Sequence, residues 1–230
     1  MDENQINFFI SENLKKNKIG NAKQFYLGTF ANDEIGSKKL EMNFPSKSCN
    51  FCFIFNSLTR RNTKAQGHWL LLHVAYMPIL CRLDIKFVDS FAISYRNYGS
   101  ISKYIDNLRM ESLDRNIQFN FEMLTKALQH FDSATCGAYS CFTVMKLATL
   151  KQASLKTIFA SFNPASTKRN DIRIRDYISK NWPVRSCTNC ISNMEKRPTF
   201  SWSKKKGKTP PFCPVNVYNH TKCLPNCLCK

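Results

Sequence analysis

The sequence predicts an α+β domain: a small mixed β-sheet with helices on either side and one helix running through the centre of the core. Three stretches lead to that class. Residues 69–76 are apolar on both faces, the pattern of a central strand covered on both sides. Residues 82–89 alternate apolar and polar, as a half-buried strand does. Ala138 to Ala148 is a mostly apolar run longer than a strand, which reads as a buried helix.

The remaining elements follow in order. An early segment over about 5–19, a helix near 100–110, one near 120–129 and one near 170–180 complete the expected core. Phe51 to Phe55 reads as an apolar strand, so Cys49 and Cys52 beside it are expected to pack rather than to bind metal or carry redox chemistry. Met77-Pro78-Ile79 supplies a turn that makes 69–76 and 82–89 a hairpin or near neighbours.

At 230 residues and 43% apolar content the chain can bury one full core. No apolar run reaches eighteen residues, so no membrane span or membrane partner is expected. Met1-Asp2-Glu3-Asn4-Gln5 lacks the basic and apolar regions of a secretory signal, which predicts a reducing, non-secreted site of action. The formal net charge is +18, and residues 183–230 carry nine Lys or Arg against a single Glu. Such a balance favours a polyanionic partner, with a merely solubilising surface as the alternative. The chain divides into a domain over 1–183 and a basic, Cys-rich extension over 184–230.

Four residues carry the chemistry: His68, Asp89, Gln129 and Cys136, in that order. A thiolate nucleophile needs an imidazole to take its proton, and the imidazole needs a third group to fix its tautomer. An amide upstream of the thiol can hold the oxyanion that forms on attack at a carbonyl. Each residue alone also has a structural reading, as a packed His, a strand-end carboxylate, a solvated amide and a small buried thiol. Ser133 is a candidate N-cap, which places Cys136 in the first turn of the apolar helix. There the dipole and unpaired amides favour an anion, so the thiol pKa is expected below its usual ~8.5 and the Cys136–His68 pair to rest as thiolate and imidazolium. Cys141 lies deeper and reads as a core thiol. His73, inside the apolar strand, is the rival base, and Asp84 the rival acid. Trp69 either packs over the His, lines a substrate groove, or is plain core.

These residues resemble the adenovirus protease (adenain) family, in the clan that also holds the SUMO-deconjugating proteases. Gly67-His68-Trp69-Leu70 looks like the family's His-Trp strand, and Phe87-Val88-Asp89-Ser90-Phe91 like its acid segment. Gln129 to Gly137 keeps the Gln-to-Cys interval and the Cys-Gly step. Phe25-Tyr26-Leu27-Gly28-Thr29-Phe30 resembles the family's opening Tyr-Phe-Leu-Gly-Thr-Tyr run, and Arg169 to Trp182 its late helix. The resemblance covers about residues 5–183 and implies a papain-like fold of adenain type with the nucleophile helix central. It further implies a thiol endopeptidase with Gln129 and the Cys136 N–H as oxyanion donors, cutting viral precursors after Gly in motifs such as Leu-x-Gly-Gly. DNA would be an activator rather than a chemical cofactor, and the enzyme would work as a monomer in the virus particle and the infected-cell nucleus. A SUMO- or ubiquitin-like isopeptidase is the alternative within the same chemistry, and a catalytically dead DNA-binding structural protein the alternative outside it.

Two departures from the family stand out. Its enzymes take an activating peptide by disulfide to a Cys between the acid and the Gln, where this chain has Asp114-Arg115-Asn116-Ile117. An activating peptide, if used, would therefore bind noncovalently. The tail is the other departure. Its Lys204, Lys205, Lys206 and Lys208 beside Trp202 are candidate DNA contacts. Cys187, Cys190, Cys213, His220 and Cys223 form an irregular zinc alternative to the expectation of no metal.

Overall fold

The computed structural model describes residues 1–35, 48–60, 67–150 and 152–183. Its centre is a five-stranded sheet in the order β1 (Tyr26–Phe30), β2 (Cys49–Asn56), β3 (Trp69–Met77), β4 (Arg82–Val88) and β5 (Gln118–Met123). The outer pairs are parallel and the two inner pairs antiparallel, so the sheet is mixed.

β3 is buried along almost its whole length, as its two-sided apolar pattern requires. Its alternate residues face two cores. Phe53, Phe55, Leu70, Leu72, Val74, Leu83, Ile85 and Phe87 pack beneath α3 (Gly99–Asp114). Ile54, Leu71 and Val88 instead meet α1 (Glu3–Lys16), α4 (Cys136–Thr149) and α6 (Thr167–Lys180). α2 (Ala22–Phe25) and α5 (Leu155–Ile158) are single turns on that second side. α1 begins in a capping box between Asp2 and Gln5, which fixes where the chain enters the helix. Trp182, just past α6, sits against Phe8 and Phe9 of α1 and locks the two helices together.

The α+β class and the central helix agree with expectation, and two local readings do not. Residues 118–123 form β5, not the start of a helix over 120–129, and 124–135 carry no helix. Gln118-Phe119-Asn120-Phe121-Glu122-Met123 alternates at period two, and pairing in register along β4 satisfies its backbone. The second correction concerns the cap of α4. Thr135, not Ser133, is the N-cap, and Cys136 is the first residue of the helix. Ser133 directs its hydroxyl to Thr135 Oγ1 at 2.9 Å instead of capping a backbone amide.

No helix among the described residues is long and apolar enough to cross a membrane. The extension, with its candidate DNA contacts Lys204, Lys205, Lys206 and Lys208 and its zinc alternative Cys187, Cys190, Cys213, His220 and Cys223, lies outside the described residues. Among the described residues no cluster of His, Cys, Asp or Glu has the makings of a metal site.

Candidate active site

The antiparallel hairpin creates the first half of the site. His68 immediately precedes β3 and Asp89 immediately follows β4, and Leu71 pairs with Val88. Two ends that lie side by side in an antiparallel pair bring the two side chains together, and His68 Nε2 meets Asp89 Oδ1 at 2.8 Å. Asp89 is almost wholly buried and collects two further donors. The Phe91 N–H reaches Oδ1 at 2.7 Å, and the Tyr98 hydroxyl reaches Oδ2 at 2.7 Å. A carboxylate with three donors is held in one orientation, and so is the imidazole it contacts. The Phe91 ring lies 5.0 Å from the His68 ring and covers its face.

α4 delivers the second half. Its first residue, Cys136, comes close enough to His68 for each to shift the other's protonation. Since Nε2 is committed to Asp89, the nitrogen left for the thiol is Nδ1. Burial alone would push the Cys136 thiol up, but the His68 contact and the backbone N–H of Trp69 outweigh it and hold the thiol below its ordinary value. Burial alone would pull His68 down, and the hydrogen bonds to Asp89 and Cys136 carry it up to about 9. Each partner favours the charged form of the other, which is the electrostatic basis of a thiolate–imidazolium pair. Cys49, Cys52 and Cys141 go the opposite way, raised by burial. The described cysteines are free thiols.

Gln129 is buried and its amide orientation is fixed from both ends. The Ser133 carbonyl, which can only accept, lies 2.5 Å from one amide atom, so that atom is Nε2. The other is therefore Oε1, and it accepts from Ser90 Oγ at 2.6 Å. The Ser90 carbonyl also accepts the Leu128 and Gln129 N–H groups at 2.9 and 3.0 Å. Ser90 thus ties the strand end that carries Asp89 to the residue expected to face an oxyanion. One of the two Nε2 protons goes to Ser133, and the second is used by no other hydrogen bond of Gln129 among the described residues. Cys136 N–H, at the first position of a helix, has no intrahelical acceptor.

Close packing holds α4 against the His strand. A Cβ on Gly137 would stand 3.2 Å from both Ile6 Cδ1 and Trp69 Cδ1, so glycine lets the helix approach. The Trp69 indole N–H donates to the Met1 carbonyl at 2.9 Å. The residue after His68 is thus braced by α1 and α4 together.

The rivals fall elsewhere. His73 is buried mid-strand with Nε2 2.7 Å from Asn50 Oδ1, and burial with Lys86 nearby pulls it down to about 3. Asp84 pairs with Arg82 at 3.0 Å and Asn120 at 2.9 Å, opposite Ala75 and several residues from His68 along the hairpin. Sequence reasoning had no role for Ser90, Phe91, Tyr98 or Asp171. The first two stand within the quoted acid segment, which is a signal of place but not of role.

No protein-family model matches the sequence, and no curated protein does. Among solved structures, the ASFV pS273R protease is similar at a TM-score of 0.49 and 13% identity, over 76% of this chain and 66% of that one. A de-sumoylating protease is similar at a TM-score of 0.42 and 13% identity, over 78% of this chain and 83% of its own. The SUMO protease Ulp1 follows at a TM-score of 0.35 and 14% identity, over 77% and 78%. The chain spans slightly less than two thirds of the length of the first.

Proposed function

We propose that this chain is a cysteine endopeptidase that matures viral precursor proteins by cutting after Gly in Leu-x-Gly-Gly-like motifs, stimulated by DNA. The observation that carries the enzymatic part is the buried contact chain from Asp89 through His68 to Cys136, with the thiol lowered and the imidazole raised. The thiolate attacks the scissile carbonyl, and the Gln129 amide and Cys136 N–H receive the oxyanion. The His68 imidazolium gives its proton to the departing amine, leaving a thioester on Cys136. His68 then takes a proton from water, the resulting hydroxide releases the acid product, and the thiolate is restored. No metal or redox group enters this cycle.

The Gly preference, the viral precursors, the particle and nuclear setting and monomeric action are supported by the family resemblance of the motifs. DNA stimulation is supported by that resemblance and by the net charge of +18. Phosphate contacts of this kind are independent of base sequence and weaken steeply with salt.

The test is hydrolysis of a fluorogenic Leu-Arg-Gly-Gly peptide by the wild type and Cys136→Ala, with and without DNA at low salt. Cleavage that requires Cys136 and rises with DNA supports both halves. Cleavage indifferent to DNA removes the cofactor. Release of intact ubiquitin-like conjugates, with precursor peptides left whole, turns the reading to an isopeptidase.

A further inference from the structure

Asp171 has no part in that catalytic cycle, yet it is buried against Thr135, the residue before the nucleophile. It stands in the first turns of α6, on the stripe that continues through Ile174 and Ile178 into the core. Beside the charge of Arg175, one turn on in α6, its hydrogen-bond donors all belong to the segment between the two expected oxyanion donors or to the helix that follows. Oδ2 accepts the His130 N–H at 3.1 Å, directly after Gln129. Oδ1 accepts the Thr135 hydroxyl at 2.9 Å, directly before Cys136. The Tyr139 hydroxyl, one turn into α4, lies 3.2 Å from Oδ1 and 3.0 Å from the Leu128 carbonyl, and shares its proton between them. Asn170 completes the arrangement by donating to the Leu128 carbonyl at 3.1 Å.

We infer that Asp171 is the positioning residue of the oxyanion site. One carboxylate grips both ends of the 130–135 loop, so the Gln129 amide and the Cys136 N–H keep a fixed separation while an oxyanion forms between them. Such donors must be held to within roughly 0.5 Å of the productive geometry, and a displacement of about 1 Å costs on the order of 10²-fold in rate. The charges that shift Cys136 and His68 come from each other, from Asp89 and from the amino terminus, so Asp171 acts through geometry rather than on the thiol's protonation.

The hydrogen-bond inventory distinguishes two substitutions. In Asp171→Asn the side-chain oxygen can keep the His130 N–H, while the amide nitrogen donates to Thr135 and Tyr139. Both hydroxyls can turn to accept, with Thr135 then donating to Ser133 and Tyr139 wholly to Leu128. In Asp171→Ala the loop loses all three anchors.

The inference rests on the peptidase reading, and the experiment separates the two. A peptide glycinal adds to Cys136 to give a hemithioacetal whose oxygen sits where the oxyanion would, whereas iodoacetamide alkylates the same thiol without forming one. We expect Asp171→Ala to lose about 10²-fold in glycinal affinity and in kcat per titrated site, with the midpoint and rate of iodoacetamide alkylation unchanged. Asp171→Asn recovers most of the affinity. Amide hydrogen exchange at His130 should speed up in the Ala variant and stay slow in the Asn variant. Unaltered glycinal affinity in Asp171→Ala, or an equal loss in the iodoacetamide rate, overturns the assignment. A wild-type Cys136 that alkylates like an ordinary thiol and takes no glycinal overturns the peptidase reading and this inference with it.

Discussion

Asp89→Asn separates the charge of the buried carboxylate from its geometry. Oδ1 holds His68 and the Phe91 N–H, while Oδ2 holds only the Tyr98 hydroxyl. An asparagine can keep its oxygen in the place of Oδ1 and turn its nitrogen toward Tyr98, whose hydroxyl rotates to accept. The hydrogen bonds survive and the charge does not. An opposite charge at this range raises an imidazole by roughly 1–3 pKa units, about 1.4 kcal/mol each. His68 should therefore fall from about 9 toward the ordinary imidazole range. The thiolate–imidazolium pair loses about 10- to 10³-fold in population, and kcat/KM near neutrality falls by a similar factor. The sign of the pH effect follows from the direction of the shift. The imidazolium persists below the His68 pKa, so the alkaline limb of the wild-type profile lies near 9, and in Asp89→Asn it moves toward neutrality. The assay is kcat/KM for the Gly-Gly peptide across the acid and alkaline range, with circular dichroism to show that the fold is intact. An alkaline limb that stays near 9, with kcat/KM within about two-fold of wild type, would refute the reasoning.

Other substitutions test the remaining parts of the site. Gln129→Ala removes one oxyanion donor, and kcat should fall about 10²–10³-fold with the pH midpoint of Cys136 alkylation unchanged. Gly137→Ala sets about 0.8–1.0 kcal/mol of helix propensity against contacts at 3.2 Å with Ile6 and Trp69. The steric term should prevail and displace the strand that carries His68, so both kcat and the melting temperature drop. A higher melting temperature with full activity would contradict that packing. His73 is depressed to about 3 by burial and by Lys86, so the unfolded chain takes up its proton first as pH falls below ~6.5. Its contribution to stability is complete above that pH and declines by about 2 kcal/mol at pH 5. Urea unfolding of His73→Leu should show that much less acid sensitivity than the wild type.

The hairpin that pairs His68 with Asp89 was legible because both strands announce themselves by pattern, and an antiparallel pair leaves only one way for their ends to meet. The first-turn position of Cys136 was legible from the apolar run behind it. β5 was misread although Phe119, Phe121 and Met123 alternate with polar residues. Its partner β4 lies on the far side of α3, and a parallel edge strand leaves no local turn signal of the kind a hairpin does. The cap was misread because the Ser133 hydroxyl turns to Thr135, and Thr135 in turn donates to Asp171, whose contacts with Thr135 and His130 span 36 and 41 residues. No local pattern encodes such a contact. The same holds for Ser90, whose grip on Gln129 spans 39 residues and exists only once the strand end and the loop have met.

The central claim is that Cys136 rests as a thiolate because His68 stands beside it. It is tested most directly by the pH dependence of iodoacetamide alkylation at Cys136, read by peptide mapping in the wild type and in His68→Ala. The wild-type midpoint should lie well below the ~8.5 of a free thiol and should climb in His68→Ala, where only the Trp69 N–H and the amino terminus still oppose burial. A wild-type midpoint at or above the free-thiol value, unmoved by loss of His68, would contradict it.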